Sequence, residues 1–147
     1  MAQGYKFKLQ KLLEIRETRE EEMKIIFMEA NREKLKVEQN LESLENNYYK
    51  YSTMDISSST YERKIQQNYL NLLYSSIEAT AVTLEEKTQE LEEKRLDLVS
   101  AQVERKTVEI LKEKQKKEFL EEQDRLEQLQ NDEFALYGFV RQNRRSF

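Results

Sequence analysis

Apolar residues recur in heptad phase along almost the whole chain, with one interruption. Alternating steps of four and three from Leu9 reach position 51. Ten of the thirteen positions visited are apolar or tyrosine: Leu9, Leu13, Met23, Phe27, Ala30, Val37, Leu41, Leu44, Tyr48 and Tyr51. A second register runs from 66 to 140. It holds Leu70, Leu73, Ile77, Leu84, Leu91, Leu98, Ala101, Val108, Phe119, Leu126, Leu129, Leu136 and Val140, thirteen of its twenty-two steps. An apolar repeat of about 3.5 residues sustained this long is the seam of a coiled coil.

The break between the registers is Ser52-Thr53-Met54-Asp55-Ile56-Ser57-Ser58-Ser59-Thr60. Such side chains hydrogen-bond to nearby backbone and favour turns and caps. Ser59 followed by Glu62 has capping-box spacing, so a second helix should start near Thr60. The chain has no proline, and its two glycines, Gly4 and Gly138, lie near the ends. Positions 5 to 137 therefore lack the residues that break or weaken a helix. The predicted fold is all-α, a single coiled-coil domain over 1–147. Helix one covers about 5–51, a turn about 52–59, helix two about 60–142 and a tail 143–147.

Such helices would be about 70 Å and about 125 Å long, and a short connection makes them antiparallel neighbours. Folding about the loop sets Tyr51 opposite Tyr61, with paired residue numbers adding to about 112. Helix one then ends opposite roughly residue 107. A C-terminal helical overhang from Val108 to Gln142 remains, about 50 Å long. It carries Leu111, Phe119, Leu126, Leu129, Phe134, Leu136, Tyr137, Phe139 and Val140. A lone helix with an apolar stripe is unstable in water and takes a partner.

Charged residues also occupy seam positions: Arg16, Glu20, Lys34, Lys87, Lys94, Arg105 and Lys112. The predicted register brings Lys34 near Glu78 and Glu20 near Lys94. Polar seam residues are read as register devices, which reduce stability but exclude wrong alignments.

Composition narrows the function. The 25 basic and 29 acidic residues are well mixed and leave a net charge of -4. That is not the basic stripe of a nucleic-acid binder. The one single-sign cluster, Arg141, Arg144 and Arg145, suits a helix C-terminus. No cysteine means no disulfide or thiolate site, and no histidine removes the commonest general base and metal ligand. The carboxylate runs Glu20–Glu22, Glu85-Glu86 and Glu92-Glu93 alternate with Lys and Arg at helical spacing and read as solvated faces. Catalytic carboxylates need a dry pocket, which two helices alone do not make. No catalytic, cofactor or metal residue is expected. No apolar run is long enough for a signal peptide or a membrane span, so a soluble cytoplasmic chain without direct membrane insertion is expected.

Tyrosines cluster about the break: Tyr48, Tyr49 and Tyr51 before it, Tyr61, Tyr69 and Tyr74 after it. One reading is aromatic pairs closing the hairpin tip. The other is a docking surface, since tyrosine is enriched at interfaces.

The opening Tyr5-Lys6-Phe7-Lys8-Leu9-Gln10-Lys11-Leu12-Leu13-Glu14-Ile15-Arg16-Glu17 resembles the start of the flagellar export proteins of the FliJ family. That family begins with alternating aromatic and apolar residues, then a leucine pair, then an arginine. Asp132-Glu133-Phe134-Ala135-Leu136-Tyr137-Gly138-Phe139-Val140-Arg141 resembles its C-terminal Asp-Glu motif followed by an aromatic and a basic residue. Length, the single mid-chain break and the Glu/Lys/Gln-rich helices agree over the whole chain.

The resemblance implies a non-enzymatic component of the flagellar type III export apparatus, similar to the central stalk of rotary ATPases. Such a protein binds the export ATPase ring and its regulator, promotes ring assembly and activity, and links the ring to the transmembrane export gate protein. It also handles export chaperones, and sits at the cytoplasmic face of the membrane through the apparatus. By this resemblance the ATPase would meet Phe7, Leu9, Leu13, Arg16, Phe119, Leu126, Leu129, Asp132, Glu133, Leu136, Phe139 and Arg141. The gate protein would meet Gln39, Leu41, Leu44, Tyr48, Tyr51, Leu73, Ile77 and Thr80. Three other readings compete. One is a structural coiled coil that self-assembles through its overhangs, another a general secretion chaperone, and the third the equivalent stalk of a needle-type secretion system.

Overall fold

A computed structural model describes residues 4–55 and 59–146. Two helices make up the regular structure of the described residues: α1, Gln10–Ser52, and α2, Thr60–Arg145. The fold is all-α, a helical hairpin. Positions 56–58 of the predicted turn lie outside the described residues, as does Phe147 of the predicted tail.

Local chemistry sets the helix ends near the break. The Tyr49 carbonyl accepts from the Thr53 amide and from the Ser52 and Thr53 hydroxyls, which satisfies an orphan carbonyl at the end of α1. At the start of α2 the Glu62 amide donates to Ser59 Oγ at 3.2 Å, and the Arg63 amide to the Ser59 carbonyl. Ser59 is thus the N-cap that its spacing to Glu62 predicted.

The stripes face where the heptads put them. All twelve α1 seam positions from 13 to 51 are buried or half-buried, and so are all fourteen α2 positions from 66 to 112. Few side chains are fully covered, because a seam between two helices shields each knob on one side only.

The chain divides into two compact units, one of residues 18–102, the other of 1–17 with 103–147. In the unit of residues 18–102, Leu73, Ala101 and Glu20 are buried. Lys87 Nζ lies 3.2 Å from Glu33 Oε2, and the rings of Tyr51 and Tyr69 meet edge-on at 4.9 Å. In both pairs the residue numbers add to 120, not the predicted 112. Tyr51 therefore faces Tyr69, and Tyr61 is exposed. The cause lies in the connection. Gln66 Nε2 donates to the carbonyls of Tyr51 and Met54 at 2.6 and 3.1 Å. This clamps the end of α1 to a point about two turns inside α2. Positions 60–65 run past that point exposed. The chain thus does not reverse at the midpoint of its loop. The predicted Lys34–Glu78 pair does not form. Lys34 pairs instead with Glu38 on its own helix, and Glu78 with the Tyr74 hydroxyl. Glu20 pairs with Lys24 and lies level with about residue 100, away from Lys94.

In the other unit, Phe7, Leu13 and Val108 form the buried cluster, with Tyr5 and Leu12 packed on it. Arg16 Nη1 donates to the Glu104 carbonyl at 2.9 Å, and Lys112 Nζ to Gln10 Oε1 at 2.9 Å. Helix α1 starts at Gln10, not near Tyr5 as predicted. The residues before it alternate, Tyr5-Lys6-Phe7, which is the period of extended chain rather than helix, and Lys8-Leu9 form a turn closed by the Gln10 amide on the Phe7 carbonyl at 3.2 Å. One face of this arm covers α2: Phe7 is buried and the Tyr5 ring lies 5.5 Å from that of Phe119. An extended segment advances further per residue than a helix. The arm thereby carries Tyr5 to Phe119, seven residues beyond Lys112.

That reach shortens the overhang. It begins near Leu120, not Val108, and continues to Arg145, about 39 Å of helix. From 120 to 145 every position except Gln123 is exposed. Gly138 lies within this helix, and a Cβ built on it would meet nothing within 4 Å.

Candidate partner-binding surfaces

In the unit of 1–17 and 103–147, the residues expected to meet the ATPase separate into two groups. Phe7 and Leu13 are core, Phe119 is half-covered by Tyr5, and Arg16 is committed to the Glu104 carbonyl. These side chains hold the unit together and present little surface. Leu9, at 41% exposed, is the seam position left open at this end. The second group is all surface: Leu126, Leu129, Asp132, Glu133, Leu136, Phe139 and Arg141.

The exposed apolar surface is wider than that group. Leu120, Phe134, Tyr137 and Val140 belong to it, with Leu126 at 43% exposed and Phe134 at 74%. Phe134 and Tyr137, with Gln130 and Glu133, line a groove of about 320 Å³. Leu120 was missed because it falls off the heptad stripe. Position 120 lies inside the overhang predicted from Val108, where no second helix occupies the seam and off-stripe positions are open as well.

Charge on this surface is segregated. Between 118 and 133 stand Glu118, Glu121, Glu122, Asp124, Glu127, Asp132 and Glu133 against the single Arg125; from 134 to 146 stand Arg141, Arg144 and Arg145 with no acid. The Arg125 guanidinium spans the Glu122 carboxylate at 2.7 and 3.1 Å. This pairing holds the Glu122 carboxyl below its ordinary pKa.

In the unit of 18–102, the residues expected to meet the gate protein lie mostly in the seam. Leu73 is buried; Leu41, Leu44, Tyr48, Tyr51, Ile77 and Thr80 are half-buried; Gln39 is exposed. Tyr51 and Tyr69 close the tip as a pair, whereas Tyr49, Tyr61 and Tyr74 are open. A hydrogen bond to the Glu78 carboxylate raises the Tyr74 hydroxyl above its ordinary pKa. Tyr51, Met54, Ile65 and Tyr69 line an apolar groove of about 420 Å³ beside Glu62 and Gln66. Met54 and Ile65 were not foreseen, since both lie outside the two stripes.

Among the described residues, no three acidic side chains are grouped to hold a metal ion, and no helix is long and apolar enough to cross a membrane. No curated protein and no solved structure matches the chain. The family model of the flagellar FliJ protein matches residues 5–144. That span takes in the extended arm, both helices and the exposed C-terminal segment, so the chain belongs to the flagellar FliJ family.

Proposed function

We propose that this flagellar export component is a stalk-like adaptor, binding the export ATPase ring through the exposed C-terminal face of α2 and promoting ring assembly and activity. The observation that carries this reading is the run of large apolar side chains from Leu120 to Val140, which no described part of the chain covers. A row of exposed large apolar side chains bordered by charge marks an interaction site. The ATPase contact centres on Leu126, Leu129, Asp132, Glu133, Leu136, Phe139 and Arg141. The ATPase's regulator approaches the same assembly. Phe7, Leu13, Arg16 and Phe119 support the surface from beneath, and Leu9 borders it.

The transmembrane gate protein is met through the other unit, at Gln39 and the outer edges of Leu41, Leu44, Tyr48, Tyr51, Leu73, Ile77 and Thr80. Export chaperones are further partners of this adaptor. Its place is at the cytoplasmic face of the membrane, reached through the apparatus and not by insertion.

The test is a double substitution, Leu126→Glu with Leu129→Glu, assayed by stimulation of the purified export ATPase. Both side chains are exposed, so helicity and melting should stay as in the parent. Stimulation should fall to the level without added protein. A variant that stimulates as well as the parent would refute the assignment of this face.

A further inference from the structure

We infer that the exposed C-terminal segment of α2 pairs with the same segment of a second copy, antiparallel, when no other partner covers it. The argument is self-complementarity. From 118 to 145 the segment is helical and carries an acidic half followed by a basic half. Two such segments laid parallel would put acid on acid and arginine on arginine. Laid antiparallel about a centre at Asn131, Arg141 and Arg144 fall level with Glu121 and Glu118 of the other copy, and Arg145 with Lys117 at the edge of the acidic block. The exposed heptad positions Glu122, Leu126, Leu129, Glu133, Leu136 and Val140 are symmetric about residue 131. Antiparallel pairing stacks Leu126 on Leu136 of the second copy, twice over, and sets Leu129 beside Glu133 and Val140 beside Glu122, whose carboxylates reach solvent at the seam edge.

Length and symmetry support the pairing. The open segment is about three and a half heptads, enough for a sustained seam. An isologous contact also closes on itself, so it stops at a dimer instead of growing into a filament. Opposed charge blocks add attraction that salt screens, since the Debye length falls to about 3 Å at 1 M.

This pairing uses the face assigned to the ATPase but does not depend on that assignment, because it is read on the purified chain alone. Sedimentation equilibrium of the full chain at micromolar concentration and low salt should show a dimer that weakens at 1 M salt. Reversing one side, in Arg141→Glu with Arg144→Glu, should weaken association at least tenfold. Glu118→Arg with Glu121→Arg should do the same. An equimolar mixture of the two variants should restore a heterodimer.

The chain has no cysteine, so single cysteines report orientation. Position 130 flanks the seam next to the centre of symmetry, and in an antiparallel pair the two copies of it share one flank. Gln130→Cys should therefore cross-link to itself under mild oxidation. Asn143→Cys, far from the centre, should not. A monomer at a hundred micromolar would overturn the inference. So would cross-linking of Asn143→Cys at least as efficient as that of Gln130→Cys, which marks a parallel pair. A dimer indifferent to both charge reversals would overturn it too.

Discussion

The packing of Leu13 on Val108 gives the most direct test of the register. Leu13 is 4% exposed, and both residues belong to the cluster with Phe7. Leu13→Ala removes three carbons, about 2.4 kcal/mol at roughly 0.8 kcal/mol per methylene, before any cavity cost. Val108→Ala removes two, about 1.6 kcal/mol on the same scale. Because the two side chains share one cavity wall, the double variant should lose less than the two losses added, with a coupling of about 1 kcal/mol. Urea unfolding followed by far-UV circular dichroism supplies the three free energies. Ile110, two residues away and exposed, is the control. Paired with Leu13→Ala, Ile110→Ala should be additive within about 0.5 kcal/mol. Additivity for Leu13 with Val108, or a coupling as large for Ile110, would refute the register described for this unit.

Two further outcomes follow from single positions. Gly138→Ala should raise the helicity of the C-terminal segment and slow its amide exchange. Nothing opposes the added methyl, and alanine is favoured by about 1 kcal/mol in a helix interior. A loss of helicity would mean the backbone there is not helical. The Glu122 carboxyl should titrate below the usual value of about 4.3 when followed by NMR, and Arg125→Gln should return it to that value. The sign follows from the depressed pKa. Stabilisation of the charged pair is present above the unfolded-state value and lost as pH falls through the folded one. An unchanged midpoint in the variant would show that Arg125 is not the cause.

The two apolar stripes, the capping serine and both helices could be read in the sequence because each depends on neighbours a few residues away. Heptad phase tells which face of a helix is covered, and Ser59 with Glu62 marks where α2 starts. The pairing of the two stripes was not legible. Leucine fits against leucine at several alignments, and the choice depended on a clamp, Gln66 on the carbonyls of Tyr51 and Met54, that no periodicity contains. The extended arm was half legible. Its alternation is visible in the sequence, but helix-forming residues follow at once and leave the start of the helix unmarked. Phe7 and Leu13, expected on the face that meets the ATPase, are buried within their own unit.

The charged seam residues show how one alignment is selected among near-equals. Lys87 reaches Glu33, Lys112 reaches the Gln10 amide and Arg16 reaches the Glu104 carbonyl. Each joins the two helices. Lys87–Glu33 is a solvent-exposed pair and the other two are half-buried hydrogen bonds, so apolar burial rather than these contacts holds the helices together. Their effect is on the alternatives. A slip of one heptad towards the predicted register sets Lys87 level with Ile26, so the ammonium loses its carboxylate and an apolar side chain gains a charge. The apolar positions discriminate less, because a slip exchanges one leucine or valine for another. The tip adds a contact that does not repeat, since a slip also parts Tyr51 from Tyr69. Register in this chain is therefore set by the residues that interrupt the apolar pattern, while the pattern itself sets only the faces that meet.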